Sequence, residues 1–496
     1  MKKLLIFLII LSTVISCTDL EVINTNNPSV KEVLSTPEGI NQLTGSLFNT
    51  WFSAEQHNIS SPGPAMWVAA DWGTVTFANY ATVDMSKEPR IALKNNSDYA
   101  YHNATRNFWR RIYGVITSSN DVLKAIEIVD VGQNKEMIKG MAYFTQGIGN
   151  GYIGLVYDRA YPSDETVPDD YSTITIQPYT TSIDMAVEEL EKAIEIFDNN
   201  SFTLPESWMT KPFTNEDLSK IAHSYIARLL VYSSRNPEQN DNIDWQKVLT
   251  NAQAGITEDF TIQGDGNVSN RKWMSWYKYY LARPFWGKVD MRVLHILDNN
   301  MPANWPSGGL SSLPFNGLLF SPDARANTDF QYDASNNRPE RGKYRWSTYR
   351  YSRYDEYINN DFFAPVVMMR KAENDLFIAE AHANLLQYQE AADVINAGTR
   401  VTRGNLAPVS INPDEIKDAI FYERTIELPL TGMGIEFFDM RRRGLLQDGT
   451  PLHFPIPDQQ LQILGIPSYT FGGVAPQFGV PNEDVSVNGW YAAPIQ

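Results

Sequence analysis

The chain has 496 residues and a net charge of −17, and 43% of its residues are hydrophobic. That acidity excludes the basic surface of a nucleic-acid binder and a polybasic attachment to anionic lipid. The apolar content excludes a disordered chain, and a single cysteine excludes an internal disulfide, so stability must come from a large core.

Lys2 and Lys3 precede an apolar run from Leu4 to Leu11, and Val14-Ile15-Ser16 leads into Cys17. This is the pattern of a secretory signal peptide, and it falls short of the roughly 20 apolar residues that a membrane-spanning helix needs. Residues 1–16 are therefore expected to be a signal peptide, and Cys17 an acylated anchor rather than a buried thiol. The polar stretch 17–27 reads as a flexible tether, and residues 28–496 as one domain.

Within that domain, helical stripes run through Phe108–Ile128, Met137–Val156, Thr181–Phe197 and Leu218–Ser233. In the third of these, Ile183, Val187, Leu190, Ile194 and Phe197 share one face, and Thr181 with Asp184 has the spacing of a capping box. Residues 260–365 lose this periodicity and are rich in Pro, Gly, Asn and aromatics, with a strand expected at Tyr344–Tyr351. The helical pattern returns at Met369–Leu386, Ala391–Val401 and Ile416–Leu428. Leu385 to Ala392 has the look of a tetratricopeptide turn, although no clean repeat of about 34 residues is present. The fold expected is mainly α. It is a tetratricopeptide-like helical-pair scaffold at about 28–259 and 366–446, carrying a long, irregular, aromatic-rich insertion at about 260–365.

No catalytic motif is found: H-E-x-x-H, G-x-S-x-G and the Walker A loop are all missing, and the six His are scattered. Asp265, Asn267 and Ser269 alternate like the start of a calcium loop, but Trp276 stands where the bidentate Glu belongs. An Asx-rich turn is the simpler reading, which leaves a structural calcium at Asp265 and Asn267 as a weak alternative and no other cofactor expected. The aromatics say more. Trp67, Trp72 and Tyr80 lie in a loop-like region after the first helix, and Trp273, Trp276, Trp286 and Trp346 lie in the insertion. Flat, electron-rich rings stack on the C–H faces of sugars, so these seven residues are the candidate ligand-binding set. For each ring taken alone, core packing is the competing role.

Several segments resemble the SusD/RagB family of nutrient-binding outer-membrane lipoproteins. Phe108 to Leu123, with its Trp109, Tyr113 and Asn120, is similar to that family's early helix. Gly140–Phe144 through Leu155–Pro162 resembles the helix and corner that follow it, and Arg370–Glu373 with Ala379–Ala381 resembles its tetratricopeptide helix. Tyr422–Leu428 with Phe437–Arg442 is the most specific match, while Arg443 and Gly398-Thr399-Arg400 depart from the usual pattern. The resemblance implies a non-enzymatic surface protein that captures oligosaccharides and delivers them to a TonB-dependent barrel transporter of the SusC type. It also implies attachment to the outer membrane through the lipid on Cys17 alone. Some members take peptides. A peptide ligand, a surface glycoside hydrolase and a protein-only scaffold are the alternatives.

Overall fold

The computed structural model describes residues 30–57, 59–76, 79–168, 175–266, 268–335 and 347–474. Cys17, the tether, Asn267 and Trp346 lie outside the described residues. The longer helices of the N-terminal half are α1 (Pro37–Glu55), α2 (Gly63–Ala69), α3 (Asn103–Ala125), α4 (Lys135–Val156), α5 (Tyr179–Asn199), α6 (Asn215–Tyr232) and α7 (Trp245–Gln253). The insertion holds α8 (Trp276–Ala282) and α9 (Met291–Leu297). After it come α10 (Lys371–Asn384), α11 (Tyr388–Ala397), α12 (Pro413–Glu427) and α13 (Ile435–Arg442).

Each expected helix forms, with ends set by local chemistry. Thr214 caps α6 through a full capping box: its hydroxyl accepts from Asp217 N at 3.2 Å, and the Asp217 carboxylate accepts from Thr214 N at 3.0 Å. The capping box expected at Thr181 does not form. Pro178 precedes α5 with φ −56, and the helix already begins at Tyr179, so Thr181 lies inside its first turn. Consecutive helices then pack side by side, α3 on α4, α4 on α5 and α5 on α6. The central helix α4 is buried almost throughout, and small residues on it permit this. A Cβ on Gly147 would lie 2.8 Å from Leu190 Cγ, and one on Gly154 would lie 2.9 Å from Ile183 Cδ1, so α5 closes on bare backbone. The turn between α10 and α11 is tight, with Leu386 at φ +63.

Among the described residues eight short strands pair two by two, all antiparallel, with β2 (Arg159–Ala160) on β3 (Gln177–Pro178) within the scaffold. Three pairs bear on the insertion. β4 (Phe260–Gln263) pairs with β8 (Pro365–Met369) and brings its two ends together. β1 (Gly73–Val75) pairs with β5 (Gly287–Val289), and β6 (Phe330–Tyr332) with β7 (Tyr349–Tyr351), the latter within the strand expected at Tyr344–Tyr351. The insertion thus holds more regular structure than its composition suggests. Its residues share one core with the scaffold: Trp273 sits 5.1 Å from the Phe52 ring and 6.2 Å from Phe48 on α1. A smaller cluster around Ala391, Ile395 and Ile416 joins α10, α11 and α12.

Charge is buried along with the apolar surface. Arg325, wholly buried, bonds Asp323 at 2.7 Å and Glu423 on α12 at 2.7 Å. Arg353 and Arg403 close on Glu427 of the same helix. On the scaffold side, Arg424, Arg442 and Arg443 converge on Glu380 and Asp439, whose carboxyls they hold well below the ordinary range. Removing one partner of such a set leaves uncompensated charge out of water. Arg325→Met is therefore expected to lower the unfolding free energy by about 3–5 kcal/mol. Chemical denaturation reads this as a shift of the midpoint to lower denaturant.

A second buried set lies between α1, α8 and α13. Lys278 Nζ donates to Gln56 Oε1 at 3.3 Å and to the Val367 carbonyl at 3.0 Å, and Glu55 accepts from Met433 N at 2.7 Å. Burial pushes the Lys278 ammonium down to about 8 and the Glu436 carboxyl up to about 7. Between pH 4.5 and 7 folded Glu436 keeps a proton that the unfolded chain has released, so its titration makes stability fall as pH rises across that window. Between pH 8 and 10.5 the unfolded chain holds the extra proton on Lys278, and stability gains with pH. Glu436→Gln is expected to flatten the fall between pH 4.5 and 7. Thermal midpoints of parent and variant at both ends of that window test it, and parallel declines would refute it.

Candidate functional site

The site begins with the start of α8. The Ser275 hydroxyl caps the helix by accepting from Lys278 N at 3.1 Å, and Ser275 N donates to the Tyr357 hydroxyl at 2.7 Å. With the start fixed, the helical period sorts the side chains. Tyr277 and Tyr280 turn inward and are buried, while Trp276 and Tyr279, three residues apart, share the outer face and stay half-buried. The chain then leaves the helix through Arg283-Pro284-Phe285-Trp286, with Phe285 at φ +67. That left-handed conformation costs energy in a residue other than glycine. It is held by three bonds: Thr76 Oγ1 to the Phe285 carbonyl at 2.6 Å, Thr76 N to the Trp286 carbonyl at 2.8 Å, and Phe285 N to Asp333 at 3.2 Å.

The result is a continuous run of rings. Tyr80 lies 5.0 Å from Tyr280, which lies 5.8 Å from Trp286, and Trp286 lies 5.9 Å from Tyr279. Tyr279 in turn meets Trp276 at 6.0 Å and Phe362 at 5.0 Å. Phe285 and Phe363 extend it with exposed rings, at 57% and 59% of full accessibility. Backbone strain gathers here too, since Tyr80, Ala81, Phe285, Asp361 and Phe362 all adopt positive φ. Arg283 stacks between two rings, its guanidinium 5.0 Å from the Tyr279 centroid and 4.4 Å from that of Trp286, and it donates to the Tyr279 hydroxyl. The rings stand tilted or edge-on to one another, and a half-exposed ring among them with a fixed guanidinium beside it can stack on a sugar and bond its oxygens.

The seven candidate rings divide. Tyr80, Trp276 and Trp286 come together on this face. Trp67 and Trp72 are wholly buried and present no face to a ligand. Their loop-like segment folds into α2 and β1. There Trp67 packs so tightly over Gly73 that a Cβ would meet its ring at 1.8 Å, and Arg292 stacks on Trp72 at 6.0 Å. Trp273 is buried against Phe48 and Phe52. These three are core residues. Asp265 binds backbone, its carboxylate accepting from Lys272 N and Trp273 N. Among the described residues no group of three or more His, Cys, Asp or Glu could hold a metal ion. Tyr279 belongs to the aromatic crowd at the start of the insertion but is outside the candidate set, and Arg283 and Phe362 carry no mark in the sequence reading. The i,i+3 spacing of Tyr279 from Trp276 is the signal for the first, and the flanking Pro284 for the second.

No protein-family profile and no curated protein matches this chain. Solved structures do. A SusD-like protein from Bacteroides fragilis superposes with a TM-score of 0.61 at 14% identity, covering 84% of this chain and 87% of that one. A SusD superfamily protein from Parabacteroides distasonis gives 0.61 at 13% identity over 86% and 97%. A SusD-like carbohydrate binding protein from Bacteroides vulgatus gives 0.52 at 16% identity over 82% and 83%. These structures match over 82–86% of this chain at TM-scores of 0.52–0.61, and the fold of this protein is therefore SusD-like, carried by a sequence only 13–16% identical to theirs.

Proposed function

We propose that this protein captures oligosaccharides on the aromatic face built by α8, the Arg283–Trp286 turn, Tyr80 and Phe362, without cleaving them. The observation that carries this reading is the run of rings from Tyr80 to Phe362, in which Tyr80, Trp276, Tyr279, Trp286 and Phe362 are half-exposed and the buried Tyr280 links Tyr80 to Trp286. Two solved structures of the same fold, from Bacteroides vulgatus and Bacteroides fragilis, are of SusD-like carbohydrate binding proteins, which supports the ligand class. Among the described residues no helix is long and apolar enough to cross a membrane. The proposed attachment to the outer membrane rests on acylation of Cys17, and the proposed recipient of the glycan is a TonB-dependent barrel transporter of the SusC type.

Truncation separates the face from the core. Trp276→Ala and Trp286→Ala are each expected to weaken oligosaccharide binding by about tenfold or more while leaving the thermal midpoint nearly unchanged. Trp67→Ala instead removes a core ring and is expected to cost about 3–5 kcal/mol of stability. Intrinsic fluorescence titration against a polysaccharide and peptide panel, with product analysis, reads binding and cleavage together. Binding unaffected by both Trp276→Ala and Trp286→Ala would remove the face from the mechanism, and released product would replace capture with hydrolysis.

A further inference from the structure

The aromatic face does not end at Tyr80. Its neighbour Ala81 lines a small cavity of about 20 Å³, together with Tyr99, Tyr101 and Lys94. That cavity shares Arg106, Pro457 and Gln459 with a much larger groove of about 560 Å³. One wall of the groove is α3, which presents Arg106, Trp109, Arg110 and Tyr113 at helical positions i, i+3, i+4 and i+7. The facing wall is Tyr161 and the short helix Asp458–Ile463, which contributes Gln459 and Gln460. Tyr161 N donates to the Tyr113 hydroxyl at 2.7 Å, which fixes the two walls to each other. The small cavity adjoins the groove at these shared residues, and Ala81 sets it beside Tyr80 of the ring face.

The arginines of this groove stand out in an acidic chain. It carries 58 acidic residues against 41 Lys and Arg, and several of its buried arginines, Arg325 and Arg442 among them, are paired with carboxylates, while the buried Arg441 is satisfied by backbone carbonyls. Arg106 and Arg110 stand one turn apart on α3, where like charges repel, and among the described residues neither forms an ion pair. Arg283 on the aromatic face likewise has ring contacts and a tyrosine hydroxyl as partners and, among the described residues, no carboxylate. Arg106 and Arg110, half-buried and exposed, are open to an acid that comes from outside.

Building on the capture reading above, we infer that the ligand is an extended acidic glycan, bearing uronate carboxylates or sulfate esters. One part of it stacks on the Trp276–Trp286 face, and its anionic groups bind Arg106 and Arg110 in the groove. Gln459 and Gln460 supply amides for neutral hydroxyls, and Tyr113 and Tyr161 supply ring surface. The volume of the groove, together with a separate ring face, selects chains over single sugars.

Calorimetric titration of the full chain tests this with polygalacturonate, chondroitin sulfate, a neutral xylo-oligosaccharide and polyglutamate. An acidic glycan is expected to bind at least about tenfold more tightly than the neutral one, with an affinity that falls as salt rises. The double variant Arg106→Gln/Arg110→Gln is expected to lose about ten- to hundredfold of that affinity and most of its salt dependence. The charge-retaining Arg106→Lys/Arg110→Lys keeps the salt dependence and loses part of the affinity. Equal binding of neutral and acidic glycans, unchanged in the Gln variant, would overturn the acidic-ligand inference and leave the capture reading standing. Binding of polyglutamate with every glycan silent would also overturn it, in favour of an acidic peptide. Silence from every ligand would overturn both readings.

Discussion

Burying an arginine obliges a protein to bury its counter-charge in matching geometry, and much of this molecule is arranged around that obligation. Arg325 comes from the insertion and Glu423 from α12, and the bonds between them exist only when the two are seated against each other. Arg353 and Arg403 repeat the arrangement at Glu427, two further elements reaching the same helix. Desolvated pairs of this kind add little net stability compared with apolar residues of the same volume. They penalise every arrangement that leaves one member unpaired. In a chain with a single cysteine, fixed register between insertion and scaffold has to come from such pairs and from shared core.

The aromatic face depends on this fixed seating. α8 rests on Tyr277, Tyr280 and the buried Lys278, so its outer rings inherit their position from polar partners on α1 and β8. The Phe285 turn is strained and is anchored from outside the insertion through Thr76, next to β1. A ring that stacks on a sugar must be held still before the ligand arrives, because ordering it afterwards would consume binding energy. The face is accordingly supported from beneath at several points, while its outer surface is left open.

Sequence patterns carried the scaffold and gave way at the face, for identifiable reasons. The stripe Ile183, Val187, Leu190, Ile194, Phe197 follows from helical period alone and needs no knowledge of its partner. The cap assigned to Thr181 failed because the helix opens two residues earlier, at Tyr179, whose N–H is taken by the Asp158 carbonyl at 3.1 Å. The tryptophans show the deeper limit. Trp67 and Trp276 stand in similar company, near Gly, Pro and other aromatics, yet one is wholly buried and the other half-exposed. What separates them is contact at long range: Gly73 clearing room for the Trp67 ring, and Tyr351 packed 6.1 Å from it, 284 positions along the chain by residue number (351 − 67). Composition can say that a region is rich in rings. Which rings face water is decided by the fold.

The ribbon formed by β4 and β8 has a consequence for how such a protein changes over time. Because Phe260–Gln263 and Pro365–Met369 are paired, the chain leaves the scaffold and re-enters it at neighbouring points. The entropic cost of closing a loop across a fixed gap grows only as the logarithm of its length. Residues can therefore be gained or lost beyond the ribbon at small thermodynamic cost, provided that Arg325 and its counterparts still reach α12. The scaffold is held by its packed helices, whereas α8 and the Phe285 turn hang from this clasp. Segments beyond the ribbon can thus be exchanged while the frame stays the same.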